Sequence, residues 1–307
     1  MKILFVANKT LSNGKETWID GTVWNFYEPL RDLGHDMQFY DTTAKEVQDF
    51  RKIVDTFKPE LIFCCLTNDR TLTTYEPWEE LEEYNAKGLV KTFNWFCDDA
   101  WRFDNFSREV CHLFTVCSTP EPLYIEKFKT EAKYENIILG MWHSNKDYYP
   151  RQEVKKKYDI VFCGQLNDDR ARCLEYLVSN GLNVEYLHGL GHKEMLAALA
   201  SAKIGISFSK NYNGHPPTRQ MKGRIFEVPA AHTLLLTEDT PGIEEAYTVN
   251  KEIIMFDGPK EMFQKAKYLL DHPHILQRIA TKGYDRFMKE HESHVRLERV
   301  LEEIGKK

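Results

Sequence analysis

Tyr158-Asp159-Ile160-Val161-Phe162-Cys163-Gly164 is the stretch on which the fold turns. It is a short apolar run stopped by glycine, and it restarts a pattern already used at Met1-Lys2-Ile3-Leu4-Phe5-Val6-Ala7. Each run is long enough for one buried strand. After the first, residues 36–40, 61–66, 92–96, 113–117 and 137–141 read as further strands, with helical patterns at 23–33, 45–57, 78–85 and 122–130 between them. After the second, 183–187, 204–208, 233–236 and 252–256 repeat the arrangement. Strands that alternate with helical patterns indicate parallel α/β units, because parallel neighbours need a crossover connection. Gly34 and Gly88 follow helical patterns directly, where a left-handed cap favours glycine.

Residues 145–157, NKDYYPRQEVKKK, interrupt this rhythm with a proline and a charge run, and they read as a linker. The expected organisation is an α/β chain of two Rossmann-like domains facing across a cleft, 1–150 and 151–285, with a C-terminal helix over 286–307. The stretch from about 273 to 304 is helical without another strand and is expected to pack back toward the first domain. A length of 307 residues agrees with two domains. In open α/β sheets ligands bind at the carboxyl ends of strands, so the loops there are where function is sought.

The composition, 42% hydrophobic and 29% charged, is that of a globular protein and excludes disorder, collagen and coiled coil. The longest apolar runs, 61–66 and 160–163, fall far short of a membrane helix, and the N-terminus lacks a signal-peptide layout. Seven cysteines, none in a C-x-x-C arrangement and several inside strand-like runs, point to a reducing cytoplasm. Residues 1–150 hold 17 basic against 25 acidic residues, net −8, while 151–307 hold 24 against 22, net +2. An anionic ligand is therefore expected mainly on the second half.

The most specific segment there is GHPPTRQMKGRIFEVPA, residues 214–230. It reads as a loop carrying His215 and two prolines, then a helix whose early turns bear Arg219, Lys222 and Arg224. Cations beside free helix N–H groups suit a phosphate or pyrophosphate, arginine as a planar fork and lysine as a point charge. Glu227, three residues after Arg224, is placed to accept hydrogen bonds from sugar hydroxyls. A solvated basic helix with a capping loop is the alternative.

KGRIFEVPA (222–230) with TLLLTEDTPGIEE (233–245) resembles the C-terminal domain of the CgeB-like spore-maturation glycosyltransferases of the GT-B superfamily. The similarity extends upstream to YDIVFCG (158–164) and downstream through Lys251-Glu252-Ile253 to the final helices, and in the first half it includes WFCDDAWRF (95–103). The resemblance implies a nucleotide-sugar donor, a UDP-sugar by default, held by the second domain. It implies an acceptor on the first domain and transfer across the cleft. It assigns Lys222 and Arg224 to the diphosphate, Glu227 to the ribose hydroxyls and Gly164 to close backbone approach. His188, with Gly189, is expected at the nucleobase, while Thr240 and Gly242 are expected to offer donors to sugar or phosphate. Retaining GT-B families often carry a second glutamate eight positions before this one, and that position is Arg219 here.

Asp98 and Asp99 follow the strand at 92–96, and one of them is expected to deprotonate the acceptor, Asp99 being narrowly favoured. Capping of the next helix is the competing role. Asp20 is the rival base, with helix capping as its simpler role. No D-x-D, H-E-x-x-H or Cys/His zinc spacing occurs, so no essential metal or other cofactor is expected, the cations neutralising the leaving diphosphate. The acceptor is open among a glycan, a protein side chain and a hydroxymethylated DNA base. A non-catalytic nucleotide-sugar-binding or spore-surface protein and an epimerase are the other readings.

Overall fold

The computed structural model describes residues 1–12, 17–68, 73–150, 154–211 and 217–307. These form two compact units, 1–141 with 293–307, and 142–211 with 217–292.

In the first, β1 (Lys2–Ala7) leads into an antiparallel hairpin of β2 (Thr10–Ser12) and β3 (Thr17–Ile19). The strands β4 (Asp36–Asp41), β5 (Leu61–Cys64), β6 (Lys91–Trp95), β7 (Val116–Thr119) and β8 (Ile137–Leu139) then complete a parallel sheet in the order β4-β1-β5-β6-β7-β8. The crossovers contain α1 (Glu28–Asp32), α2 (Phe50–Phe57), α3 (Trp78–Ala86), α4 (Asp99–Arg102), α5 (Arg108–Val110) and α6 (Tyr124–Thr130). Ile3 to Ala7 are all fully buried, as expected of a strand covered on both faces. Phe5, Phe63 and Phe93 fill one face in a row, with centroids 5.6 and 4.6 Å apart. The helix expected over 45–57 begins only at Phe50, because Asp49 caps it by accepting from the Lys52 N–H at 3.0 Å. The strand expected from Leu113 starts at Val116, after a 3-10 turn at Cys111–Leu113.

The second unit is built from β9 (Tyr158–Cys163), β10 (Val184–Leu187), β11 (Ala202–Ser207), β14 (Leu234–Glu238) and β15 (Ile254–Phe256), all parallel in the order β10-β9-β11-β14-β15. A small antiparallel pair, β12 (Lys210–Asn211) and β13 (Thr218–Arg219), projects beyond β11. The helices are α7 (Asp168–Ser179), α8 (His192–Ala200), α9 (Arg224–Ala230), α10 (Gly258–Asp271) and α11 (Pro273–Glu290). Strand order reverses between β9 and β11, the switch point at which open α/β sheets bind ligands. The final helix, α12 (Ser293–Lys306), belongs to the first unit, where Leu297, Val300 and Ile304 are buried. The Lys91 ammonium donates to its Ile304 carbonyl at 3.0 Å.

Both units are Rossmann-like, as the alternating pattern implies. Among the described residues no helix is long and apolar enough to cross a membrane.

Candidate active site

At the switch point of the second sheet, β9 ends at Cys163 and Gly164 follows it. A Cβ on Gly164 would stand 3.2 Å from the Phe162 ring, so the backbone there is close to its own strand. Three residues on, Asn167 caps α7 by accepting from the Arg170 N–H at 3.1 Å, and Asp168 and Asp169 complement the helix dipole.

Arg170 is a functional candidate that sequence reasoning missed. Its guanidinium lies over the rings of Phe162 and Phe208, 5.9 and 5.8 Å from their centroids. It donates to the carbonyls of Gln165 at 2.6 Å and Lys210 at 3.3 Å. The Lys222 ammonium donates to the same Lys210 carbonyl at 2.9 Å. Two cations thus converge on one oxygen beside the ends of β9 and β11. The cap-and-arginine pattern of Asn167 and Arg170 behind a strand and glycine was the available signal.

The helix expected to carry Arg219, Lys222 and Arg224 together is shorter than that. Arg219 lies on β13, opposite Lys210 of β12, and the Gln220 N–H is held by the Ser209 carbonyl at 3.1 Å. The chain is kept extended through this stretch, and helical bonds begin only at Lys222 and Gly223. The Arg219 guanidinium is turned onto the end of β14, donating to the Asp239 carbonyl at 2.7 Å and standing 3.5 Å from Glu238. Glu238 in turn accepts the backbone N–H groups of Ser209 and Lys210. Arg219 is thereby part of a brace that holds the β12–β13 pair.

Arg224 and Glu227, by contrast, are brought together on α9. The Arg224 guanidinium forms an ion pair with the Glu227 carboxylate and touches the Met195 sulfur at 2.6 Å. Both side chains are mostly covered, 19% and 14% exposed. Gly223 precedes them, and a Cβ there would meet Trp142 at 3.6 Å and Glu227 at 3.8 Å. Tyr149, buried and sharing a hydrogen bond of 2.8 Å with the Ser144 hydroxyl, is close enough to feel both charges. Burial pushes its phenol well above the ordinary value, and the Glu227 carboxylate adds to this. Burial also raises the Cys163 thiol, with Arg224 opposing. Tyr149 was not singled out from sequence as a site residue, since nothing local separates it from core aromatics.

The remaining positions are more peripheral. His188 is exposed just after β10, its ring stacked on Tyr186 at 6.4 Å. Thr240 is buried and its hydroxyl donates to the Glu238 carbonyl at 2.8 Å. Gly242, at φ +76°, opens a single 3-10 turn, Ile243–Glu245. His215 lies outside the described residues.

In the first domain the two neighbouring carboxylates have opposite surroundings. Asp99 is fully buried, and the Ser107 hydroxyl donates to its Oδ1 at 2.5 Å. Burial pushes its carboxyl up to about 7, against the hydroxyls of Ser107 and Thr119 and the Arg102 charge. Asp98 is partly exposed and adopts φ +57°, a left-handed conformation uncommon outside glycine, asparagine and aspartate. Its carbonyl starts the next helix by accepting from the N–H groups of Trp101 and Arg102. Asp98 is therefore the carboxylate of the pair that meets solvent at the end of β6. Asp20 caps the first helical run, its Oδ1 accepting from the Thr22 N–H at 2.7 Å and hydroxyl at 2.6 Å.

Residues 151–302 match a family model described as glycosyl transferase-like. The matched region is just under half of the chain. It contains Gly164, Arg170, Lys222, Arg224 and Glu227, so the two cations on the Lys210 carbonyl and the ion pair on α9 all belong to the matched region. Over 159 residues, half of its length, the chain is 26% identical to the uncharacterized protein L137 of Acanthamoeba polyphaga mimivirus. That stretch spans about a fifth of that relative, 20% of its length. Among solved structures, an alpha-glucosyltransferase in complex with UDP-glucose and DNA containing an abasic site is similar over 99% of each chain, at a TM-score of 0.66 and 11% identity. Alr3699/HepE of Anabaena in complex with UDP is similar over 100% of each chain, at a TM-score of 0.61 and 10% identity. Identities this low establish the fold alone, and that fold is GT-B.

Proposed function

We propose that the protein is a glycosyltransferase that moves a sugar from a nucleoside-diphosphate donor, by default a UDP-sugar, to a hydroxyl acceptor. The observation that carries this reading is the covered Arg224–Glu227 pair on α9, inside the region that matches the glycosyl transferase-like family. Arg224, Lys222 and Arg170 take the diphosphate, and Glu227 accepts from the ribose hydroxyls. Gly164 lets the phosphates approach the backbone. His188 faces the nucleobase, and the Thr240–Gly242 turn lies toward the sugar. Leaving-group charge is neutralised by these cations without an essential metal, since fixed positive groups in a covered site act most strongly where charge develops in the transition state.

The first domain takes the acceptor, and Asp98 is the base if the reaction inverts. The run 222–230 supports placing the chain with the CgeB-like enzymes, and the seven thiols support a cytoplasmic setting. Calorimetric titration with UDP, GDP, TDP and ADP, with and without divalent metal, tests the donor site. A UDP-sugar hydrolysis screen then identifies the sugar. One diphosphate should bind tightly without metal, and Arg224→Ala or Glu227→Ala should each weaken it by about 10- to 100-fold, in line with losing one charge-assisted contact. Unchanged affinity in both variants would remove the donor site from α9.

A hydroxymethylated DNA base is the second acceptor reading, favoured by the fold shared with a glucosyltransferase solved with DNA. The net charge of −8 over residues 1–150 opposes it, since phosphate contacts dominate nucleic-acid affinity. Salt-dependent binding to duplex DNA would decide for it. UDP binding without hydrolysis or transfer of any donor sugar would decide for a binding protein.

A further inference from the structure

We infer that the Arg224–Glu227 ion pair is an internal latch, which each half of a nucleoside diphosphate opens for the other half. The inference rests on the donor reading above and specifies how that site is gated. The two side chains are three residues apart on one face of α9 and are each less than one-fifth exposed. The Met195 sulfur covers the guanidinium from α8. A covered ion pair of this kind is costly to break from one side, because the partner left behind is a desolvated charge.

A nucleoside diphosphate presents both replacements at once. Its diphosphate takes the Arg224 guanidinium, and its ribose diol donates to the Glu227 carboxylate. Neither residue is left uncompensated. A ligand with only one of these groups has to compete with the internal partner. Pyrophosphate must draw Arg224 away from Glu227, and uridine must win Glu227 from Arg224. Once either exchange has happened, the other residue is already released, so the two fragments should bind with positive coupling. The latch thus selects intact nucleoside diphosphates over free nucleosides and over inorganic pyrophosphate.

The test is calorimetry on the full chain with UDP, uridine and pyrophosphate, each fragment titrated alone and with the other saturating. Uridine should bind about tenfold more tightly when pyrophosphate is present, and pyrophosphate equally so when uridine is present, since coupling is reciprocal. In Glu227→Gln the internal competitor is neutral. There pyrophosphate should bind about tenfold more tightly than in the unaltered protein, and the coupling should fall to within twofold of none. If UDP binds but the fragments bind independently in the unaltered protein, the latch is overturned while the donor site stands. That measurement does not depend on any variant folding. Tighter binding absent in a folded Glu227→Gln protein also overturns it. No binding of UDP, uridine or pyrophosphate overturns the donor reading and the latch together.

Discussion

Asp98 and Asp99 are adjacent in sequence and opposite in environment. Asp99 points into the core, where burial raises its carboxyl from 3.8 to about 7, so the folded state holds a proton that the unfolded state has released. Its contribution to stability is fully present below pH 3.8 and is lost as pH rises to about 7. A tenfold change in proton affinity is worth about 1.4 kcal/mol, so the loss amounts to a few kcal/mol at most. Urea unfolding followed from pH 4 to 8 should therefore show stability falling with pH, and Asp99→Asn should flatten that slope. Asp98 is expected to behave as a chemical group. Asn tolerates the left-handed backbone at that position, so Asp98→Asn should fold normally, keep its UDP affinity and lose about 100-fold in transfer rate. Asp99→Asn should stay within severalfold of the unaltered rate. The reverse result would return the base to Asp99.

The seating of α9 depends on one missing side chain. A Cβ on Gly205 of β11 would lie 2.7 and 2.9 Å from the two methyls of Val228, so the strand and helix are in contact through a glycine. Gly205→Ala should cost about 1–3 kcal/mol by overpacking. It should also weaken UDP binding, because the displaced helix carries Arg224 and Glu227. Val228→Ala in the same chain should recover both, whereas no recovery would mean that β11 itself is damaged. Gly283 of α11 is less forgiving, since its Cβ would stand 2.5 Å from the Glu252 backbone carbonyl and no side chain can move aside. A glycine inside a strand pattern signals a close approach, but the identity of the approaching group is a tertiary fact.

At the scale of the molecule, the last helix belongs to the first domain although it follows the second in sequence. Truncation after Glu292 removes the buried Leu297, Val300 and Ile304 together with the cap from Lys91. Calorimetric melting should then show a lowered transition for the first domain. UDP should still stabilise the second domain, by about 2.7 kcal/mol at a hundredfold excess over its Kd. Loss of UDP binding on truncation would show that the second domain does not hold the donor site alone.

Period and punctuation were enough to read both parallel sheets, because a buried parallel strand is a continuous apolar run and its neighbours are separated by a crossover. All eleven strands of the two sheets overlap the stretches read as strands, although the edge strands β4 and β10 are interrupted by polar residues and only partly buried. The same local information placed a basic cluster around 219–227 and a glutamate three residues after Arg224. It also extended the helix back over Arg219, since the pairing of Arg219 with Lys210 and its bond to the Asp239 carbonyl are made only in the folded chain. Arg170 and Tyr149 stand out only once the chain is packed, Arg170 beneath the Lys210 carbonyl 40 residues on and Tyr149 within reach of the Arg224 and Glu227 charges. Which of two neighbouring aspartates is buried was likewise undecidable from sequence. The backbone at Asp98 turns left-handed, and only packing of the next helix against the core determines which carboxylate keeps contact with water.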